Sequence, residues 1–418
     1  LLVSFCNKMH AKMPFLFERI ADYTELLMPD DLLSNTSIIS KIRNAMTKGN
    51  CKNVEVIGWL YQFYISDKKD EVFAGLKKNQ KIKPGNIPAA TQLFTPNWIV
   101  KYLVENSIGR LWMLNNPNSD LIKEMKYYVD LKESNKDFIK INSPEDIKIC
   151  DPACGSGHVL TYAFDLLYLI YLEEGYNIES ISTLILKNNL YGIEIDNRAG
   201  QLSAFALVIK ARETERNFFK KSISPNICVL KNIKFDNQEL DSYTSELGRD
   251  LFSQSFHNIL KQFEESDNFG SLIQPPIEDF DDIKKIIESK DFSSNLFYNS
   301  THKKLLEVLS QVSYLNKKYH AVVTNPPYMG SKGMNISLSL FAKDNYPDSK
   351  SDLFSMFMER CSKFVIRDGI WGMINLPSWM FLSSFETLRI KLLKEQNLFS
   401  LLQIGRGIFG SDFGTTAF

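Results

Sequence analysis

Asp146-Ile-Lys-Ile-Cys150, then Asp151-Pro-Ala-Cys-Gly-Ser-Gly157, then the apolar run from His158 to Leu172 is the stretch that decides the fold. A short apolar run, a glycine-bearing loop and a long apolar segment read as strand, tight turn and helix. That is the opening unit of a dinucleotide-binding type of sheet. Gly155 and Gly157 let the backbone turn sharply and approach a ligand more closely than any Cβ would allow. Downstream, Asn189-Leu-Tyr-Gly-Ile-Glu-Ile-Asp196 reads as a second strand that delivers Glu194 to its C-terminal end, with Asp196 just beyond. An acidic residue there suits hydrogen bonds to the two hydroxyls of a ribose. A helix follows from Asn197 to about Arg216, with Ala199, Leu202, Phe205, Ala206 and Ile209 on one face, and Ile227-Cys-Val-Leu230 is a third strand. Further strands are expected at Tyr319–Thr324, Gly369–Leu376 and Leu398–Ile404, the last followed by the loop Gly405–Gly410. Strand and helix alternate from residue 146 on, which predicts an α/β fold with a parallel sheet and helices on both faces.

The fourth strand stops at Asn325-Pro326-Pro327-Tyr328. Neither proline donates a backbone hydrogen and each fixes φ, so the loop presents carbonyls as acceptors. Asn325 adds a side-chain carbonyl and Tyr328 an aromatic face. Two acceptors beside a flat ring form a receptor for a planar group bearing an NH2, such as a nucleobase amine. Taken alone, Asn-Pro is also an ordinary turn signal.

The glycine loop discriminates among nucleotides. Gly155-Ser-Gly157-His-Val-Leu160 lacks the third glycine of a nicotinamide site, and the chain has no G-x-x-x-x-G-K-[ST] for a triphosphate. Asp151 would repel a pyrophosphate, and suits instead a cation such as the ammonium of S-adenosylmethionine. Cys154 lies in this loop with no histidine placed to activate it, so it reads as a packing residue rather than a nucleophile.

The 418-residue length allows two or three domains, and 44% hydrophobic with 23% charged residues is ordinary for a globular protein with a proper core. Apolar spacing such as Phe15, Phe17, Ile20, Tyr23 and then Val56, Trp59, Leu60, Phe63 predicts a helical N-terminal domain over residues 1–83. Lysine-rich sequence and Pro84-Gly85 close it. Thr91-Gln-Leu-Phe-Thr-Pro96 then leads into an amphipathic helix, with Thr95 as its cap and Pro96 its first residue. Residues 115–145 are polar and read as a helical excursion. The acidic segment from about 236 to 318, broken at Gln274-Pro-Pro276, reads as a helical insertion without chemistry of its own. Formal net charge is zero, with a basic front and an acidic insertion, so any grip on DNA is expected to be local or to lie in sequence outside this fragment. Six scattered cysteines without C-x-x-C and five scattered histidines argue against a zinc site and for free thiols in a reducing cytoplasm. No apolar run reaches the roughly 20 residues of a membrane span. Leu1 as first residue and the strand-like Thr415-Thr-Ala-Phe418 give the expectation of a fragment truncated at its C-terminal end.

Thr91-Gln-Leu-Phe-Thr-Pro96, Asp151–Gly157, Glu194-Ile-Asp196 and Asn325-Pro-Pro-Tyr328, in this order, resemble the gamma-class amino-methyltransferases of DNA over roughly residues 84–418. One such motif is weak; four in order are specific. Gly58-Trp-Leu-Tyr61, Tyr346-Pro-Asp-Ser-Lys-Ser-Asp352 and Pro377-Ser-Trp-Met-Phe-Leu-Ser-Ser384 further resemble the adenine-specific methyltransferases of BREX-type phage defence, relatives of type IIG restriction-modification methylases.

The resemblance implies a Rossmann-like sheet that uses S-adenosylmethionine, without metal, to methylate the exocyclic N6 amine of a flipped adenine. Thr91, Thr95 and Pro96 would fold over the methionine part of the cofactor. Asp151, Ala153, Gly155 and Gly157 would line that part, and Glu194, with Asp196 just beyond it, would take the ribose. Phe357 would lie against the cofactor's adenine ring. The third acidic contact of the family has two candidate positions here, Asn232 and Asp236. Asn325, Pro326, Pro327 and Tyr328 would receive the target base, and the aromatic on its far side would follow Phe418, with the target-recognition domain absent. Implied partners are double-stranded DNA and other phage-defence proteins, with no membrane, in a bacterial or archaeal cytoplasm. A related loop occurs in methyltransferases of protein glutamine, which is one alternative; a catalytically silent DNA-binding defence component is another.

Overall fold

A computed structural model describes residues 2–52, 54–131, 138–247, 254–275, 280–292, 295–409 and 414–418. Its centre is a sheet of seven strands: β1 (Ile149–Asp151), β2 (Leu190–Glu194), β3 (Asn226–Val229), β4 (Tyr319–Thr324), β5 (Val365–Asn375), β6 (Leu402–Arg406) and β7 (Gly414–Ala417). The order is β3-β2-β1-β4-β5-β7-β6. β1 to β5 run parallel, and β7 is antiparallel to both its neighbours.

Period-two alternation explains why both faces are covered. Along β4, Ala321 and Val323 enter one core, packed with Phe164, Leu167 and Leu207, while Val322 enters the other, packed with Leu309, Phe354 and Met358; Tyr319 joins this second core because the register shifts between Tyr319 and Ala321. The first core is closed by the helices Asn97–Val104, His158–Glu173 and Asn197–Thr214, the second by Leu296–Asn316 and Leu353–Phe364. This is the expected α/β, Rossmann-like architecture.

The chain winds outward from β1 to β3 and then returns to β4, so strand order reverses between β1 and β4. Such a switch point leaves a crevice at the carboxyl ends of the two strands. The glycine loop follows β1 and Asn325 follows β4, which brings the two motifs together although 167 residues of sequence lie between Gly157 and Asn325.

Other segments depart from expectation. Residues 115–145 hold only two 3₁₀ turns among their described residues, Asp120–Lys123 and Pro144–Asp146. Asparagine side chains of the preceding helical stretch take the backbone amides a helix would have used: Asn106 Oδ1 accepts from Val129 N at 2.8 Å and Asn115 Oδ1 from Ile141 N at 3.0 Å. Thr95 does not cap the helix Asn97–Val104; Pro96 holds that position. The last two strands expected from sequence are shifted, to Val365–Asn375 and Leu402–Arg406. Pro276 and Gly410 lie outside the described residues. The segment 236–318 is helical where described, and its Tyr243, Phe256, Phe263 and Val312 belong to the core over one face of the sheet. At the N-terminus, Tyr61 and Ile65 pack on Ala199 and Leu202 of the helix Asn197–Thr214.

Candidate active site

β1 ends on Asp151, only 2% exposed, whose Oδ1 accepts from Ala153 N at 3.1 Å. Burial pushes this acid up to about 7, against the Thr324 hydroxyl and the Ala153 N–H, which favour the ionised form. β2 ends on Glu194, whose carboxylate accepts from Gly155 N at 2.8 Å, Ile195 N at 2.9 Å and Asp196 N at 3.0 Å. Burial raises its pKa as well, opposed by those amides. An ionised carboxylate has about four lone-pair sites, so three amides orient it and leave room for one more donor, such as a hydroxyl.

β4 delivers Asn325. Its Nδ2 donates to Thr95 Oγ1 at 3.0 Å and to Leu93 O at 3.5 Å, so the segment after Thr91 is tied to the loop by the hydroxyl expected to cap a helix. Asn325 Oδ1 accepts from the Tyr328 hydroxyl at 2.7 Å, and Ile374 O lies 2.9 Å from the same hydroxyl. The Asp352 stretch braces the loop from behind. Asp352 Oδ1 accepts from Met329 N at 3.0 Å and caps the helix Leu353–Phe364, while Leu353 N donates to Met329 O at 3.1 Å. That helix carries Phe357.

Thr91, Thr95, Asp151, Ala153, Gly155, Glu194, Asn325, Pro327 and Phe357 line one cleft. Five expected residues stand outside its lining. Pro96 and Gly157 occupy helix N-cap positions. Asp196 does the same through its side chain, which accepts from Ala199 N at 2.9 Å. Pro326 is buried. The Tyr328 ring is folded away beside Phe354, with centroids 6.2 Å apart. Neither candidate for a third acidic contact lines the cleft: Asn232 Oδ1 accepts from Asp267 N at 2.9 Å, and Asp236 caps the helix Asn237–Leu247. Phe418 packs between Trp371 and Trp379, at 5.2 and 5.8 Å.

The cleft also takes residues that the sequence did not single out. Asn268, Phe269, Gly270, Ser271 and Leu272, inside the supposedly inert insertion, form one wall. Ser271 Oγ donates to Pro152 O at 2.6 Å, Tyr346 Oη to Leu272 O at 2.6 Å, and buried Arg360 Nε to Ser271 O at 2.7 Å. The one local signal was the turn-forming Asn268-Phe-Gly-Ser271 within an otherwise helical pattern. Gly58 and Gln62 of the helix Val56–Tyr64 add a further wall, with Gln92 and His158 beside them.

The donor set fits S-adenosylmethionine. Asp151 is a buried carboxylate held near neutrality at the cleft, where a cation would restore its charge. Glu194 has one free acceptor direction for a ribose hydroxyl. Gln92 Oε1 and His158 Nε2 are buried and unpaired. Among the described residues no group of three or more His, Cys, Asp or Glu is arranged to hold a metal ion, and no helix is long and apolar enough to cross a membrane.

The chain is 40% identical over 445 aligned positions to the adenine-specific methyltransferase BrxX of Escherichia coli O9:H4 (strain HS), covering 99% of this chain and 36% of that protein. It is 35% identical over 440 positions to the adenine-specific methyltransferase PglX of Lacticaseibacillus casei (strain Zhang), again covering 99% of this chain and 36% of the relative. The chain thus spans about a third of the length of these relatives. The MmeI DNA-methyltransferase domain matches residues 132–234. The Eco57I restriction-modification methylase matches residues 188–409, more than half of the 418. The chain belongs to the Eco57I restriction-modification methylase family.

Proposed function

We propose that the chain is the methyl-transferring part of a site-specific DNA methyltransferase that moves a methyl group from S-adenosylmethionine to the N6 amine of adenine in phage defence. The observation that carries this reading is that Asn325 and Pro327 line the same cleft as Asp151 and Glu194, across the switch point of the sheet. Relatives described as adenine-specific support the choice of base. Residues 84–418 hold the chemistry, and double-stranded DNA in a bacterial or archaeal cytoplasm is the partner and setting.

Bound in the cleft, S-adenosylmethionine supplies an electrophilic methyl group on a sulfonium. Asp151 would hold its ammonium, Glu194 its ribose and Phe357 its adenine. The lone pair of the target amine is delocalised into its ring. Asn325 Oδ1 and the Pro326 carbonyl accept the two amine hydrogens and favour a pyramidal nitrogen. Tyr328 leaves its present partners and stacks on the base, which must be flipped out of the duplex to enter. The C–N bond would form as the methyl–sulfur bond breaks, leaving a neutral thioether, and the nitrogen would then release one proton to solvent; proximity and alignment would contribute much of the rate.

The test is incubation with isotopically labelled S-adenosylmethionine and duplex DNA, followed by digestion and mass spectrometry of the nucleosides. Labelled N6-methyladenine is expected. Label in glutamine of a peptide substrate instead would move the reading to a protein methyltransferase. Cofactor binding without transfer to either would point to a silent DNA-binding component.

A further inference from the structure

The N-terminal helix Val56–Tyr64 has no part in the mechanism above, yet its Gly58 lines the cofactor cleft. The contact is tight. A Cβ added at Gly58 would fall 2.3 Å from His158 Cε1 and 2.8 Å from Ser156 Oγ, so only glycine lets this helix close over the imidazole. Phe94 holds the other side of the ring edge-on, with centroids 4.0 Å apart and planes at 82°, and Trp59 stands against Phe94 at 5.9 Å. The imidazole is therefore clamped between the N-terminal helix and the segment that follows Thr91.

Clamping leaves a defined set of hydrogen-bonding atoms. Ser156 Oγ lies 3.2 Å from His158 Nδ1. His158 Nε2 is buried without a partner, and it carries the ring proton in the assigned tautomer, in which Ser156 donates to Nδ1. Burial pushes His158 down to about 4, so the ring is neutral near pH 7. Gln92 is the complement: its Oε1 is a buried acceptor without a donor, and its amide sits over the glycine loop, Nε2 being 3.8 Å from where a Cβ of Gly155 would stand. One buried donor and one buried acceptor on the wall of a single cleft match the two charged ends of an α-amino acid.

We propose that Gln92 and His158, clamped by Gly58, read the amino-acid end of S-adenosylmethionine: Gln92 Oε1 accepts from the ammonium and His158 Nε2–H donates to the carboxylate. The inference rests on the cofactor reading above. An ammonium has three hydrogens to place, so Gln92 shares it with Asp151 rather than replacing that acid. The helix Val56–Tyr64 then serves as a cofactor-binding element, although it lies in the N-terminal segment whose role the sequence left open.

Calorimetric titration separates this role from plain packing when two ligands are used. 5′-Methylthioadenosine keeps the adenosine and the sulfur but lacks the amino-acid end. Gln92→Ala, His158→Ala and Gly58→Ala are each expected to lose roughly tenfold or more in affinity for S-adenosylmethionine, the scale of one hydrogen bond to a charged group. Affinity for methylthioadenosine should stay within about twofold of the wild type under the same principle. His158→Gln retains an N–H donor, guards against a folding failure, and is expected to recover part of the loss. Variants that bind S-adenosylmethionine as tightly as the wild type, or that lose both ligands alike, overturn the proposal. A wild-type chain that binds neither ligand overturns the cofactor reading itself, an outcome visible before any variant is made.

Discussion

The hydroxyl of Tyr328 lies 2.7 Å from Asn325 Oδ1, so the acceptor proposed for a substrate amine is occupied by the ring proposed to stack on that substrate. One hydroxyl hydrogen is shared between this acceptor and Ile374 O at 2.9 Å. The buried ring raises its own pKa well above the ordinary phenol value, so it remains a donor at any working pH. Entry of a base requires the hydroxyl to leave. Tyr328→Phe keeps the stacking face and removes this competitor, and single-turnover methylation by it is expected to stay within about tenfold of wild type, one ordinary hydrogen bond being worth about 1 kcal/mol. Tyr328→Ala also loses base–aromatic stacking, worth about 1–3 kcal/mol per base. Its rate should fall well below that of the phenylalanine variant; equal rates would mean that the ring never stacks.

Asn325 faces two ways, accepting through Oδ1 and donating through Nδ2 to Thr95 Oγ1 at 3.0 Å. Thr95→Val removes the acceptor that fixes the orientation of the amide and leaves only the longer contact to Leu93 O, 3.5 Å away. A loss of about fivefold in kcat is expected for one neutral hydrogen bond. Asn325→Ala removes the acceptor itself and should cost on the order of 10²–10³ in kcat, by analogy with a deleted oxyanion-hole donor. Cofactor affinity, read by calorimetry, should fall less than kcat in Asn325→Ala, whereas Thr95→Val, at a residue proposed to lie over the methionine part of the cofactor, should also weaken it.

The motifs were legible because each is a local feature of the chain: a turn after β1, an acid at the end of β2, two prolines after β4. Their convergence on one cleft followed from strand order, which alternation alone does not specify. What stayed hidden depended on long-range packing. The turn signal in Asn268–Ser271 marks a break but not a cleft wall, because Arg360 and Tyr346, distant in sequence, hold the segment there. Asp196 reads like a ligand in sequence, yet the helix behind it has unpaired N–H groups, and a cap satisfies them. The polar stretch 115–145 was misread as helical because the asparagines that unmake the helix sit upstream of it and pair with its amides only after folding.

Asp151 gives cofactor binding a pH signature. Its folded value, near 7, is above its ordinary 3.8, so the empty folded chain prefers the protonated acid. Through this group, stability is greatest below pH 3.8 and is lost as pH rises toward 7. A cationic ligand needs the ionised acid, so affinity for S-adenosylmethionine should weaken by about tenfold per pH unit below 7 and level off above it. The amino group of the ligand itself loses its proton near pH 8, by analogy with an α-amino group at about 7.7–8.0. Calorimetry from pH 5.5 to 8.5 should therefore find an optimum between the two. Glu194 is raised by burial as well, so the control is Asp151→Asn, which should bind weakly and lose the acid limb. An unchanged acid limb in that variant would place the titrating group elsewhere.

The two loop glycines should fail differently. Both have positive φ, 52° at Gly155 and 89° at Gly157, so alanine strains the backbone at either, by roughly 1–2 kcal/mol. At Gly157 the new Cβ would also stand 2.6 Å from Ser203 Oγ and 3.1 Å from Ser203 Cα, between two packed helices. At Gly155 the nearest atom is Gln92 Nε2 at 3.8 Å, so the methyl group projects into the cofactor cleft without a clash. Gly157→Ala is expected to lower the melting temperature markedly, with whatever folds still binding cofactor. Gly155→Ala should lose less stability and more affinity. Thermal melts with and without S-adenosylmethionine separate the two: ligand should raise the midpoint of Gly157→Ala nearly as much as that of wild type, and hardly move that of Gly155→Ala. The opposite pattern would mean that Gly157, rather than Gly155, faces the ligand.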